Sequence, residues 1–424
     1  MNTDLAAAIA EIDLVDTHEH FAADGDFATD FPDVLAALFD RFARADLRCA
    51  GASAQAVSAL EAGEPRSVAE RFAAIEAHWR AMRHTGHGEA VALAARAVYG
   101  IERLDPDSLA EAQATHAQLI AHNESQRLLR EVARLDHLQV DADPNLAATA
   151  TVDGFVFPDL ELKALCAGQY VTAYIGETTG IEVRDIRSLR QGIDAVFERF
   201  APTSVALRAA PAGERSLAWT RRSDADAMAA LDTLLRKPGH ITAETHRVLG
   251  DWCWARCVER AIDHDLPFKL HTGYHTGNNR MQMGHADPAL LCDLLMAYPR
   301  ARFVLLHAGP VYTDQMLALA KHYTNVFADL CWAWAADPAG TRHFVRRFVH
   351  AVPATKLLGF GGDTDSPVMV AGYALQARRH LARALGAEVS AGLLDETQAI
   401  ELARMICREN ACAVFPIAQR RAAR

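Results

Sequence analysis

The chain of 424 residues lacks a surplus of basic charge, since 43 lysines and arginines face 54 aspartates and glutamates. The resulting net charge of −11 argues against non-specific binding to nucleic acid and to anionic membrane surfaces. No apolar run approaches the roughly 20 residues of a membrane span, and no basic stretch followed by an apolar core marks a secretory signal. The eight cysteines are scattered without a paired framework, as in a reducing compartment. These absences predict a cytoplasmic globular protein that uses neither nucleic acid nor a membrane.

A histidine-rich motif is the most informative feature that the chain does have. Residues 16–20, Asp-Thr-His-Glu-His, end the apolar run Ile12–Val15. Residues two apart on a strand project to the same face, so we expect His18 and His20 to point at one spot. Two neutral imidazoles at such a place suit zinc and related divalent ions.

Strand-like and helical segments alternate along the later part of the chain. An alanine-rich stretch of about residues 30–130 instead carries apolar residues at helical spacing. With the first strand, the later runs bring the number of predicted strands to the eight that close a (β/α)8 barrel. These later strands are predicted at 135–141, 169–175, 203–209, 266–271, 302–307, 325–329 and 356–362. We therefore predict an α/β fold: a TIM barrel of residues 1–29 and 131–424, an all-helical insertion at 30–130, and extra C-terminal helices.

Such barrels build their active sites at the C-terminal ends of their strands. Five ligand-type residues are predicted there, namely His18, His20, His271, His307 and Asp363. Any one of them has an ordinary structural explanation, such as a core histidine bonded to a carbonyl. Together they favour a metal site.

This order of residues resembles the amidohydrolase superfamily of metal-dependent barrels over nearly the whole chain. The resemblance implies that His18, His20, His271 and Asp363 bind one divalent metal ion, preferably zinc, with manganese or iron as alternatives. It implies for His307 either ligation of a second metal or a role as a substrate-facing base or electrophile.

The fourth strand departs from the superfamily pattern, which has a lysine or glutamate there. Arg208 occupies this region, and an arginine stays protonated and cannot bridge two metals. One metal is therefore favoured over two, with Glu177 as the other residue that could supply a bridge. Asp365 is a rival to Asp363 if the last strand ends later. Lys269 shares a strand face with His271 and is expected to lie inside the barrel, where it could neutralise a buried acid.

Two branches of the superfamily are visible in the sequence. Residues 270–273 (Leu-His-Thr-Gly) and 278–281 (Asn-Asn-Arg-Met) resemble the strand-5 segment of uronate isomerases. Residues 305–310 (Leu-Leu-His-Ala-Gly-Pro) and 325–330 (Asn-Val-Phe-Ala-Asp-Leu) resemble instead the nodulin-type amidohydrolase domain, whose reactions are poorly defined. The resemblance is thus specific for the superfamily and loose for the reaction.

Arginines near the predicted mouth suggest a substrate that carries a carboxylate, which a guanidinium group can bind through two hydrogen bonds. Arg208 and Arg280 are the expected anchors. Asn279 is a further expected substrate contact, and Trp332 and Trp334 are expected to wall the pocket.

Hydrolysis through a metal-activated water is the favoured reaction, because it is the commonest chemistry of the superfamily. Asp363 would accept a proton from the water, His307 would polarise the scissile carbonyl, and Arg208 completes the predicted catalytic residues. The alternatives are aldose-ketose isomerisation of a sugar acid, non-oxidative decarboxylation of an aromatic acid, and a barrel without catalytic activity. The resemblance also implies that the chain could form a homo-oligomer.

Overall fold

A computed structural model describes residues 3–20, 27–61, 66–142, 154–274 and 281–422. Its eight strands follow one another in the sheet in chain order, which gives the α/β fold class of a (β/α)8 barrel. The strands are β1 (Leu14–Glu19), β2 (Leu135–Ala142), β3 (Val156–Glu161), β4 (Ala206–Ala209), β5 (Phe268–His271), β6 (Phe303–Leu306), β7 (Val326–Asp329) and β8 (Leu357–Leu358). The predicted fold class is confirmed.

Helices make up most of the remaining described chain. They are α1 (Thr3–Ala10), α2 (Phe27–Asp30), α3 (Val34–Leu38), α4 (Arg41–Cys49), α5 (Ala54–Ser58), α6 (Val68–Ala73), α7 (Glu76–Met82), α8 (Gly86–Tyr99), α9 (Pro106–Ala121), α10 (Ser125–Arg127), α11 (Lys163–Ala167), α12 (Val171–Thr179), α13 (Ile186–Phe200), α14 (Asp224–Arg236), α15 (Ala243–Asp263), α16 (Cys292–Ala297), α17 (Thr313–His322), α18 (Ala333–Ala336), α19 (Pro338–Ala351), α20 (Pro367–Ser390), α21 (Glu396–Arg404), α22 (Asn410–Val414) and α23 (Ile417–Ala422). In the part of the chain that the structure describes, no helix is both long and apolar enough to cross a membrane.

The contacts within the chain divide it into two compact units. The first contains the described residues up to 140 together with 330–411. In this unit β1 pairs in parallel with β2, and Leu14 lies opposite Leu135. On its other side, β1 is hydrogen-bonded to the segment that follows β8, because Thr17 N–H donates to Phe360 O over 3.1 Å.

The second unit contains the described residues 141–274, 281–329 and 412–422. Its strands β3 to β7 pair in parallel with their neighbours, and His271 at the end of β5 lies opposite Leu306 at the end of β6. The side chains of β4, β5 and β6 are buried throughout. Strands buried on both faces are expected in a parallel sheet that is covered by helices.

The described residues between β1 and β2 (27–61 and 66–134) form helices and contain no strand. Local sequence explains where these helices begin: Asp33 and Asp40 precede α3 and α4, and each carboxylate accepts two backbone N–H groups of the first turn. The boundaries of the insertion at residues 30 and 130 stay a prediction.

The predicted strand at 169–175 is wrong, because residues 171–175 lie in helix α12 and the third strand is Val156–Glu161. The aromatic and β-branched residues of 170–175 favour a strand by composition. However, Val171, Ile175 and Thr178 are the buried residues, and this spacing is helical. The actual third strand carries Pro158 and two acidic residues, which conceal it from a search for apolar runs.

A fully buried ion pair lies between β3 and β5 in the second unit. Lys269 Nζ lies 2.6 Å from Asp159 Oδ2, and both side chains are inaccessible to solvent. Burial raises the pKa of Asp159 to about 6, against the opposing effect of Lys269. Lys269 thus has the structural role that its position in the sequence suggests, which is to neutralise a buried acid.

We expect Lys269→Met to lower the free energy of unfolding by about 3–5 kcal/mol, because Asp159 then remains buried without its cation. The double variant Lys269→Met, Asp159→Leu should recover most of this loss. Denaturant-unfolding midpoints measure both effects. Lys237→Met, at a side chain that is 60% exposed, is the control, with a change expected within about 0.5 kcal/mol. A loss in the double variant as large as in the single one would contradict this account.

Candidate metal centre

Two histidines of the first strand and one aspartate after the last strand converge in the first unit. His20 Nε2 lies 2.8 Å and His18 Nε2 3.5 Å from Asp363 Oδ1. One potential ligand atom of each residue lies within 4.8 Å of those of the other two. His18 and Asp363 are buried, so three metal-ligating groups meet in a largely desolvated place.

The backbone after β8 brings Asp363 to this position. Asp363 N–H donates to His18 O over 3.0 Å, and His20 N–H donates to Thr364 O over 3.1 Å. Asp363 itself has a φ of 55°, in the left-handed region that residues other than glycine seldom adopt. Strained backbone of this kind persists where the surroundings hold it in place, and it is frequent at functional sites.

Glu19 also stabilises the segment after β8 that carries Asp363. Its carboxylate is fully buried, and Oε2 accepts the Thr364 N–H over 2.7 Å. A Cβ on Gly362 would meet Glu19 Oε1 at 2.0 Å, so only glycine fits between this carboxylate and Asp363. Burial, and next the neighbouring Asp16, raise the pKa of Glu19 well above its ordinary value.

Arg41 forms an ion pair with Asp363. Its Nη2 donates to Asp363 Oδ1 over 2.6 Å and to Asp363 O over 2.8 Å. Burial alone would raise the pKa of Asp363, but the charge of Arg41 and the hydrogen bonds to His18 and His20 hold it well below its usual range. Asp363 is therefore an anionic carboxylate, as metal ligation requires.

Arg41 has no strand-end signal in the sequence, because it lies at the start of α4 in the helical stretch. The local signal near Arg41 is Asp40, because aspartate is a preferred N-cap residue and predicts that a helix begins at Arg41. An N-cap residue predicts where a helix begins but not which strand end the helix lies against.

The two tryptophans and the rival aspartate lie near the end of β7 and beyond β8. Trp332 is buried and packs against Phe42, with ring centroids 5.0 Å apart and the ring planes tilted by 36°. Trp334 is also buried, and its Nε1 donates to Gly359 O over 2.9 Å. Asp365 has an exposed side chain, whereas Asp363 is the one that reaches the histidines.

A second group of predicted residues lies in the second unit. His307 Nε2 and His271 Nδ1 are 2.7 Å apart, and Arg208 Nε donates to His271 Nε2 over 2.9 Å. Both nitrogens of the His271 ring therefore have protein partners. His307, Ala308 and Gly309 all have positive φ, which marks the end of β6 as a second strained segment.

Arg208 is surrounded by carboxylates. Its Nη1 lies 2.9 Å from Asp141 Oδ2 and also pairs with Glu161. Burial raises the pKa of Asp141 to about 7 against the effect of Arg208, and the Glu161 carboxylate adds to the rise. Arg208 thus serves to balance buried acids and to orient His271, contacts that a sequence pattern alone does not disclose.

Asn279 and Arg280 lie outside the described residues. Glu177, the alternative bridging residue, is exposed on α12.

The donor set of the first unit fits a divalent ion. Two imidazoles and one carboxylate are ligands that zinc, manganese and iron accept, and three protein ligands leave a position for water or substrate. The convergence of His18, His20 and Asp363 in a largely buried place supports this fit.

The sequence profile of a family described as Amidohydrolase matches residues 189–417, more than half of the chain. Protein fluG of Emericella nidulans is 29% identical over 145 residues, which represent 32% of this chain and 16% of that protein. The chain thus matches only a small part of this relative's length.

Two solved structures resemble nearly the whole chain. The uronate isomerase of Thermotoga maritima has a TM-score of 0.79 and 17% identity, over 97% of this chain and 96% of that one. The glucuronate isomerase of Caulobacter crescentus has a TM-score of 0.81 and 18% identity, over 97% and 92% of the two chains. At these identities the likeness concerns the fold.

We expect Gly362→Ala to weaken metal binding at least about tenfold, because the new methyl group displaces either Glu19 or the backbone that carries Asp363. Metal content after dialysis, measured by plasma mass spectrometry, and competition with a chelator give the affinity. Gly213→Ala is the matched control, since a Cβ at Gly213 meets nothing within 4 Å. Unchanged affinity in Gly362→Ala would mean that Glu19 does not position the aspartate.

Proposed function

Because this chain belongs to the amidohydrolase family, we propose that it is a metal-dependent hydrolase of a small carboxylate-bearing substrate. The observation that supports this proposal best is the convergence of His18, His20 and Asp363 in the first unit. Histidines at the end of β1 and an aspartate after β8 occupy the strand ends where barrels of this fold class carry their chemistry.

In the proposed site, His18, His20 and Asp363 hold one divalent ion, with zinc preferred over manganese or iron. Such an ion, when bound, lowers the pKa of water and polarises a carbonyl oxygen. The resemblance implies His271 as a fourth ligand. Its Nε2 accepts from Arg208 and its Nδ1 contacts His307, so ligation by His271 requires one of these contacts to be given up.

The residues of the chain have distinct tasks in the proposed hydrolysis. Asp363 accepts a proton from the attacking water and passes it to the leaving group, as general acid-base catalysis requires. His307 polarises the scissile carbonyl of the substrate or holds its developing negative charge. Arg208 orients His271, and His271 in turn contacts His307.

Aldose-ketose isomerisation of a sugar acid is the second candidate. Two observations favour it: the residues at 270–273 and 278–281 resemble the strand-5 segment of uronate isomerases, and two sugar-acid isomerases share the fold over most of the chain. In that reaction a base moves a proton between neighbouring carbons and no water is consumed. A cytoplasmic location and a homo-oligomeric state stay predictions.

We expect about one metal equivalent per chain after purification without chelator, and its loss in the double variant His18→Ala, His20→Ala. Plasma mass spectrometry provides the count.

His271→Asn is a separate test of the fourth ligand: retention of the metal would limit the protein ligands to the other three. Two equivalents in the wild type would show that Arg208 does not prevent a second site, and none after reconstitution would remove the basis of the proposal.

We expect the metal-loaded protein to hydrolyse at least one member of a panel of small acids that bear an amide, ester or lactone. His18→Ala should lower the rate more than about 100-fold, because the ion supplies several kcal/mol of transition-state stabilisation. Proton NMR of D-glucuronate and D-galacturonate tests isomerisation in the same preparation, and carbon dioxide release from hydroxybenzoates tests decarboxylation. Isomerisation without any hydrolysis would replace the first proposal by the second.

A further inference from the structure

We propose that Arg41 is the residue that binds the carboxylate group of the substrate, beside the metal ligands of the first unit. This inference rests on the proposed function, because it concerns the substrate of the same site. It assigns to the start of α4 a role that the sequence suggested for Arg208 and Arg280.

The guanidinium group of Arg41 has hydrogen-bonding capacity to spare. Only Nη2 is engaged, by the side-chain and backbone oxygens of Asp363. Nε and Nη1 have no hydrogen-bond partner within the described ranges, and 40% of the side chain is exposed. An arginine presents five N–H donors in a rigid, planar group, so the one N–H of Nε and the two of Nη1 remain for the oxygens of an anion.

The position of this fork is held from several directions. Asp40 caps α4 through the N–H groups of Phe42 and Ala43, and its other oxygen accepts from Tyr373 at 2.7 Å and Thr364 at 2.9 Å. Arg41 Cζ lies 4.6 Å from the centroid of the Phe42 ring. The backbone oxygen of Asp363 also contacts Nη2, so Arg41 stays at the site even when Asp363 Oδ1 is given to a metal ion. A pre-positioned side chain loses little conformational freedom when it binds a ligand.

The charges around Arg41 favour an anion. Asp363 is its anionic partner among the described residues, and this carboxylate also faces two histidines. A divalent ion bound by His18, His20 and Asp363 gives the cluster a net positive charge, which attracts a carboxylate in this partly desolvated place. Arg208 differs, because Asp141 and Glu161 already neutralise it and only 8% of the residue is exposed.

The test compares acid and amide probes with the zinc-loaded full-length protein. Isothermal titration with benzoate and benzamide, phenylacetate and phenylacetamide, and D-gluconate and its amide measures binding without turnover. The variants are Arg41→Met and Arg41→Lys. Arg48→Met is the matched control, because Arg48 is an exposed arginine on the same helix. Metal content is measured for every protein.

We expect Arg41→Met to weaken binding of at least one acid tenfold or more while binding of its amide and the metal content stay unchanged. Arg41→Lys should restore part of the loss, and Arg48→Met should resemble the wild type. Equal weakening of acid and amide, or loss of the metal, would show that Arg41 only positions Asp363. Acid binding that is unchanged in Arg41→Met, or a wild type that does not distinguish any acid from its amide, would also overturn the proposal.

Failure of the proposed function gives a different result. A protein without hydrolase activity still reports acid binding in this titration, so the role of Arg41 is judged independently of turnover. Conversely, hydrolysis that is unaffected by Arg41→Met would retain the proposed function and reject the carboxylate anchor.

Discussion

The hydrogen bonding between the end of β1 and the segment after β8 is the constraint on which the candidate site depends. Three backbone bonds, from Thr17 to Phe360 O, from Asp363 to His18 O and from His20 to Thr364 O, hold the two segments side by side. They align a strand that carries two histidines with a turn that carries an aspartate. Because Asp363 has a left-handed backbone, this alignment needs support, which Glu19 and the adjacent Gly362 provide.

Arginines of the two units illustrate how surroundings decide the role of one residue type. Arg208 is paired with two carboxylates and a histidine, so its charge is used within the protein. Arg41 shares one carboxylate with two imidazoles and remains partly exposed. An arginine cannot be neutralised by losing its proton, so a buried one requires anions of its own. A partly exposed arginine beside a metal site can instead pair with an anionic group of a bound ligand.

Much of the fold could be predicted from periodicity and from residues at strand ends. The apolar runs that end at His271, His307 and Asp329 are strands, because buried parallel strands consist of short apolar segments. The third strand was misplaced, since Pro158 and Asp159 interrupt its apolar pattern while residues 170–175 have a strand-like composition in a helix. Asp159 is polar because it pairs with Lys269, a partner 110 residues away that no local pattern can disclose.

The sequence by itself determined the fold class and the residue types of the candidate metal centre, because strand spacing and the histidine pair are local patterns. Tertiary structure decided that Asp363 rather than Asp365 meets His18 and His20, since only the left-handed turn beside Glu19 directs it there. It also decided that Arg41 joins this cluster and that Arg208 is occupied by Asp141 and Glu161. These choices depend on which charges lie close together after folding, and the energy between two charges depends on their distance and burial rather than on their separation along the chain.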